Sequence, residues 1–389
     1  MDWSLAVWVS LCAVFFGVPA VYFVYMKKRS SSGWDLNVKN DYSPSVAIMI
    51  PVYNEEKTIR LKLENLSKVS YPLDKMEIVV VNDSSTDSTL REINQYIAEN
   101  SLPKISIFNS KVHLGKTGCL NSALKGINAS VVIISDADCF WPHDILRKAL
   151  GYLSDPTVGA VTGRELLLNP RDSWVTVGEQ YYDATVQAIR IGESKMHSTI
   201  FFQGGFAAYK RSVLEEFNHF TDDSGTALDI VQKNKRALLI PEVGFFTVSP
   251  TIFRDKFAIK LRRASHLQKL WARCLRLMAQ GKLAFPKRIA LPEIMLHLIN
   301  PVLFVVLAVL SVFVFFAYRL LALALFFGAC VLFAVKKTRT IAVELIQNNL
   351  ILLVALSFFV SNRKFRFWKP IEASRFGLSE KLLREHKLI

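Results

Sequence analysis

Residues 131–138 read Val131-Val132-Ile133-Ile134-Ser135-Asp136-Ala137-Asp138. A short, unbroken apolar run that stops at a polar turn is the pattern of a strand buried on both faces. It is the last of a series. Residues 46–51 (VAIMIP), 77–81 (EIVVV) and 104–108 precede it as strands. Polar, helix-prone stretches separate them, at 55–68, at 87–99 and from Gly115-Lys116 through Leu124. Strand and helix alternating at this spacing predict βαβ units and a mostly parallel α/β sheet. Ligands of such sheets bind beyond the carboxyl ends of the strands. Tyr53-Asn54-Glu55, Asp83, Lys116, Asp136 and Asp138 all fall just past such ends.

Asp136 and Asp138 lie on one side of an extended segment. Two carboxylates so placed can hold Mg²⁺ or Mn²⁺ while phosphate oxygens take the metal's remaining positions. The competing reading is a turn whose aspartates cap a helix. Asp83 reads as a turn residue or as a hydrogen-bonding partner of a nucleotide. Gly115-Lys116-Thr117 would need a glycine at 110 to be a phosphate-binding P-loop, and Ser110 stands there, so Lys116 reads either as a phosphate contact or as a surface lysine. Gln203-Gly204-Gly205 permits close approach of backbone and substrate, or forms a tight turn. Thr221-Asp222-Asp223 offers a general base or a charged surface loop.

The 389 residues carry 48 Lys+Arg against 33 Asp+Glu, a net charge of +15, with a mean hydropathy of +0.26. That composition excludes a disordered chain and argues for membrane spans joined to a basic soluble part. The excess charge suits anionic lipid or a phosphate-bearing substrate. No nucleic-acid motif is present, and nucleic acid is not expected as a partner. Five scattered cysteines without a C-x-x-C pair imply neither a disulfide framework nor zinc. Residues 3–26 lack Asp, Glu, Lys and Arg and are followed by Lys27-Lys28-Arg29, which predicts a retained anchor with the following chain in the cytoplasm. Apolar runs return at 294–318, 320–335 and 345–362. Three crossings there would put the basic tail outside, against its charge, so one run is expected to be re-entrant or interfacial, or the tail breaks the charge rule. Residues 254–288 hold eleven Lys/Arg and one Asp, with apolar residues at helical spacing, and read as a basic amphipathic interfacial stretch. The expected division is therefore an anchor (1–29), an α/β domain (30–253), interfacial helices (254–288), a membrane region of two to three segments (289–362) and a basic tail (363–389).

Together IPVYNEE, VVVNDSSTD, GKTGCLNSAL, SDADC, QGGFAAYKRSVL and TDD resemble, in this order, the membrane-embedded family 2 glycosyltransferases with the GT-A fold, the branch of cellulose, hyaluronan, chitin and poly-N-acetylglucosamine synthases. The resemblance implies a Rossmann-like, mostly parallel cytoplasmic domain flanked by transmembrane helices in the plasma membrane. It implies a UDP-sugar donor held by Pro51, Tyr53, Glu55, Asp83 and Asp136, with Mg²⁺ or Mn²⁺ on Asp136 and Asp138; Lys116 and, from the basic stretch, Arg262 and Arg263 are read from their charge as contacts of its diphosphate. It further implies Asp223 as the base of an inverting transfer, and a lipid-linked or glycan acceptor near Gln203, Gly204, Gly205 and Asp222. Processive members carry Q-x-x-R-W on the interfacial helix, and Ile259-Lys260-Leu261-Arg262-Arg263 stands here instead. Single transfer is thus expected ahead of a processive synthase that exports its product. A non-catalytic membrane binding or assembly protein is the third reading, opposed by the presence together of Asp83, Asp136, Asp138 and Asp223.

Overall fold

The computed structural model describes residues 3–361 and 378–389, other than 102 and 220. Among the described residues seven strands form one sheet: β1 (Val46–Val52), β2 (Met76–Asn82), β3 (Lys104–Asn109), β4 (Val131–Ile134), β5 (Val158–Leu167), β6 (Ala207–Lys210) and β7 (Arg236–Thr247). The order is β3-β2-β1-β4-β6-β5-β7, with β6 alone antiparallel to its neighbours. The sheet is mostly parallel, as expected. Every residue of β1 is buried because the strand feeds two cores. Val46, Ile48, Ile50 and Val52 face one; Ala47 and Met49 face the other. Burial on both faces is why such strands read as unbroken apolar runs. Pro51 costs no ladder bond, since β4 pairs with β1 only as far as Met49.

Helices α2 (Ile59–Ser67), α3 (Thr89–Glu99) and α5 (Ile145–Leu150) cover one face. The other carries α4 (Lys116–Leu124), α7 (Asp222–Gln232), α8 (Phe253–Ala279) and α9 (Lys287–Ile294). The first predicted helix begins later than expected, at Ile59, because residues 54–56 are tied to 85–89. The Asn54 amide N–H donates to the Ser85 hydroxyl (3.0 Å), and the Glu55 N–H donates to Thr89 (2.7 Å). The strands β5 to β7 were not visible as apolar runs. Gly159, Gly163 and Arg164 interrupt β5, Pro241 and Gly244 interrupt β7, and the β5–β7 ladder shifts register twice.

The interval between the sheet and the membrane helices is bridged by α1 (Trp3–Ser30) and α6 (Trp174–Met196). They cross so closely that a Cβ at Gly192 would lie 2.2 Å from the Met26 carbonyl oxygen. Among the described residues three helical stretches are long and apolar enough to cross a membrane: Trp3–Ser30, Lys287–Ala317 and Lys336–Val360. The second comprises α9, a π turn (Met295–Ile299) bracketed by Pro292 and Pro301, and α10 (Asn300–Ala317). The third is α12. Between them α11 (Arg319–Ala334) is shorter. The Trp8 indole donates to Ser311 (2.8 Å) and the Asn300 amide reaches the Phe15 carbonyl, so α1 and α10 run antiparallel.

The basic stretch is helical, as expected, up to a turn at Gly281. Its Leu261, Ala264, Trp271 and Cys274 pack against protein, the first two against Ile351 and Ala355 of α12. Two of its cations, the buried Lys256 and the partly buried Lys260, join an ion cluster. Lys256 contacts Glu179 (3.2 Å) and Glu344 (2.5 Å), and Lys260 contacts the same carboxylates at 2.8 and 3.6 Å. The cluster joins α6, α8 and α12. After residue 377 the chain returns to the domain as α13 (Glu380–Glu385), whose Leu383 is fully buried. Residues 362–377 of the predicted membrane end and basic tail lie outside the described residues.

Glu344→Ala should leave Lys256 and Lys260 with one carboxylate between them and cost about 3–5 kcal/mol. Thermal unfolding in detergent should show a clear drop in melting temperature. An unchanged melting temperature would contradict the cluster's role.

Candidate active site

Strand order places β1 between β2 and β4, so the chain switches direction of winding at the β1–β4 boundary. The crevice of a parallel sheet opens there. Asp136 and Asp138 follow β4 directly. The carboxylate oxygens of both and the Cys139 Sγ lie within 4.8 Å of one another. Lys116, at the start of α4, donates to Asp136 Oδ1 at 2.8 Å and lies 3.4 Å from Asp223 Oδ2. Its helix starts there because Gly115 takes φ +76°, which a side chain would resist. Asp223 sits in the first turn of α7. Burial alone would raise the Asp136 carboxyl. Lys116, with Arg262 and Lys62 adding to it, instead holds it below the usual carboxylate range. Arg262 of α8 thus adds its charge to this group.

Gly204 closes it. The Asp136 N–H donates to the Gly204 carbonyl (2.8 Å), and a Cβ there would lie 2.3 Å from Asp136 Oδ2 and 2.6 Å from Lys116 Nζ. The donor set suits a hard divalent cation. Asp136 and Asp138 offer carboxylate oxygens, whereas burial keeps the Cys139 thiol protonated, aimed at Asp138 Oδ1 (3.7 Å).

A second group forms at the β1 and β2 ends. Asp83 Oδ1 accepts the Leu114 N–H (2.7 Å), and its Oδ2 lies 3.0 Å from His113 Nδ1. The His113 and Tyr53 rings lie 4.4 Å apart. The other predicted residues are placed differently. Pro51 is buried inside β1, one residue before the loop. Glu55 accepts the Thr58 hydroxyl (2.7 Å) and braces its own loop. Gln203 donates to Glu165 Oε2 (2.7 Å), which Arg263 approaches at 3.6 Å. Gly205 owes its lack of a side chain to the Phe245 ring, 2.1 Å from where a Cβ would stand. The Asp222 side chain lies outside the described residues.

Sequence reasoning missed His113, Glu165, Lys62 and Asn65. The last two lie one helical turn apart on α2 and are fully buried. Lys62 donates to Ser135 Oγ (2.6 Å) and to the Cys139 carbonyl (2.5 Å), over the Trp141 ring. Burial pushes its ammonium down to about 7. A polar residue on the apolar face of a predicted amphipathic helix was the available signal.

The sequence model for glycosyl transferase family 2 matches residues 47–217. A mannosyltransferase of Pyrobaculum calidifontis, solved with GDP-Man and Mn²⁺, is 31% identical, with a TM-score of 0.79 over 92% of this chain and 99% of its own. The chain belongs to the family 2 glycosyltransferases. Its sheet and flanking apolar helices are the GT-A architecture expected of them. The glycosyltransferase is also 32% identical to the beta-monoglucosyldiacylglycerol synthase of a Synechocystis strain, over 38% of this chain and 32% of the other. It is 22% identical to the poly-beta-1,6-N-acetyl-D-glucosamine synthase of Staphylococcus epidermidis, over 54% and 50%. The chain spans about half or less of the length of these curated relatives.

Gly204→Ala should push Asp136 and Lys116 apart. A displacement of about 1 Å at such a centre can cost about 10²-fold in rate. Glycosyl transfer should fall by that order with the melting temperature little changed. Wild-type turnover would show that the close approach is not needed.

Proposed function

We propose that the protein is a membrane-bound inverting glycosyltransferase that moves one sugar from a nucleoside-diphosphate sugar to a hydroxyl of a lipid-linked or glycan acceptor. The observation that carries this is the contact of Lys116 with both Asp136 and Asp223 at the sheet's carboxyl edge. It brings a metal pair, a phosphate-binding cation and a base to one point. GDP-mannose stands ahead of the UDP-sugar implied by the sequence motifs, because the relative that matches nearly the whole chain was solved with it.

Asp136 and Asp138 would hold Mg²⁺ or Mn²⁺, which supplies positive charge to the departing diphosphate. Lys116 and Arg262 add theirs from the protein. Tyr53, His113 and Asp83 bind the nucleoside end. Asp223 takes the acceptor's hydroxyl proton as that oxygen bonds to the anomeric carbon. The bond from that carbon to the diphosphate oxygen breaks on the opposite face, and its electron pair leaves with the nucleoside diphosphate.

Single transfer is supported by Arg263. It occupies the position where processive members carry tryptophan, and it faces Glu165 rather than offering a ring for a sugar to stack on. Lys27-Lys28-Arg29 at the end of α1 favour a cytoplasmic catalytic domain at the plasma membrane. Residues 378–389 pack on that same domain, so the chain crosses an even number of times after α8. At 16 residues α11 is about 24 Å long, short of a span of about 30 Å.

Asp223→Asn should lower transfer by about 10²–10⁴-fold and leave nucleoside diphosphate binding intact. Asp138→Ala should lose Mn²⁺ binding and transfer together. Turnover assays with calorimetry check both. Wild-type turnover in Asp223→Asn would remove the base assignment, and Mn²⁺ binding retained in Asp138→Ala would remove the metal assignment.

A further inference from the structure

The segment after the membrane helices reaches the back of the metal loop. Ser379 caps α13 by accepting the Leu382 N–H (3.2 Å). Leu383, Leu388 and Ile389 are buried with Phe140, Leu168 and Val248. Phe140 lies two residues beyond Asp138 and is pinned on its other side by paired backbone bonds to Phe246 (2.8 and 2.7 Å). The His386 ring packs near Phe246, at 5.9 Å.

One buried amide joins this segment to the loop. Asn65 Oδ1 accepts the Trp141 N–H (2.8 Å), and its Nδ2 donates both to the Trp141 carbonyl (2.8 Å) and to the Leu388 carbonyl (2.7 Å). The Trp141 indole donates to the Gly205 carbonyl (2.7 Å), which the Ser135 hydroxyl also approaches (3.2 Å). Lys62 holds Ser135 and the Cys139 carbonyl from below. Lys62 and Asn65 of α2 therefore hold Ser135, Cys139 and Trp141, and Asn65 also donates to the Leu388 carbonyl. A buried amide uses its capacity this fully only in a fixed geometry.

We propose that residues 378–389 are a positioning element for the metal-binding loop. Docked through Asn65 and Phe140, they set the affinity of Asp136 and Asp138 for a divalent cation. The inference rests on those two carboxylates being the metal pair. Asn65 touches no substrate; it acts through Trp141. Partners that orient metal ligands from behind typically change affinity about 10–100-fold when lost. The arrangement also gives the chain beyond α12 a physical connection to the donor site.

The test compares the full chain, a variant lacking 378–389, and Leu383→Ala/Leu388→Ala, which weakens docking without deletion. Mn²⁺ affinity is read by electron paramagnetic resonance. Nucleoside diphosphate binding in EDTA is read by calorimetry. Deletion should weaken Mn²⁺ binding about 10–100-fold and leave metal-free nucleotide binding within about twofold. A synthetic peptide of residues 378–389 should restore the Mn²⁺ affinity. The double variant should shift it in the same direction, and it carries the test if the deletion does not fold. Wild-type Mn²⁺ affinity in a folded deletion or double variant, or a loss that the peptide does not restore, would overturn the proposal. Failure of the wild-type chain to bind Mn²⁺ would overturn the metal pair itself, and this inference with it.

Discussion

Three carboxylates, Asp136, Asp138 and Asp223, meet at the end of β4, and such a meeting needs positive charge. Lys116 supplies it directly, 2.8 Å from Asp136 and 3.4 Å from Asp223. Arg262 and Lys62 add to it from two other helices. Each cation comes from a different element, so the site exists only when α2, α4 and α8 are all docked. The sheet's parallel order provides this for α2 and α4, since helices that cross over between parallel strands deliver their first turns to the same edge as the strand ends; α8 follows the last strand and contributes Arg262 from its third turn.

The membrane side is tied to that edge by the same logic of compensated charge. Glu179, Glu344, Lys256 and Lys260 neutralise one another across α6, α8 and α12. Isolated, any of them would be costly to bury. Two residues past Lys260 along α8 lies Arg262, whose charge helps to hold the Asp136 carboxyl low. The helix that anchors the domain to the membrane helices therefore also contributes a cation to the carboxylates at the end of β4. On the opposite face, Leu383, Leu388 and Ile389 pack against Phe140, two residues beyond Asp138.

Much of the first half of the domain was legible because its strands are buried on both faces and stop at polar residues. Residues 131–134 announce β4, and Asp136 and Asp138 stand where the argument expects them. Lys116 begins α4 as read. The second half was not legible. Glycines and a proline interrupt β5 and β7, and β6 has only four residues. The 23 residues of α6 carry charged and apolar residues on several faces, because the helix touches α1, the sheet and the membrane helices at once. The site's missed members follow the same rule. Lys62 and Asn65 serve a loop distant in sequence, and a local pattern does not encode a partner across about 75 residues. His113 was missed because a lone ring in a polar loop carries no period.

The most direct measurement is donor turnover by purified protein in detergent, with a panel of GDP- and UDP-sugars, with Mn²⁺ and then with EDTA. The account predicts nucleoside diphosphate release from one donor, GDP-mannose first, and its loss in EDTA. Release continuing at the same rate in EDTA would contradict the metal-dependent site at the end of β4.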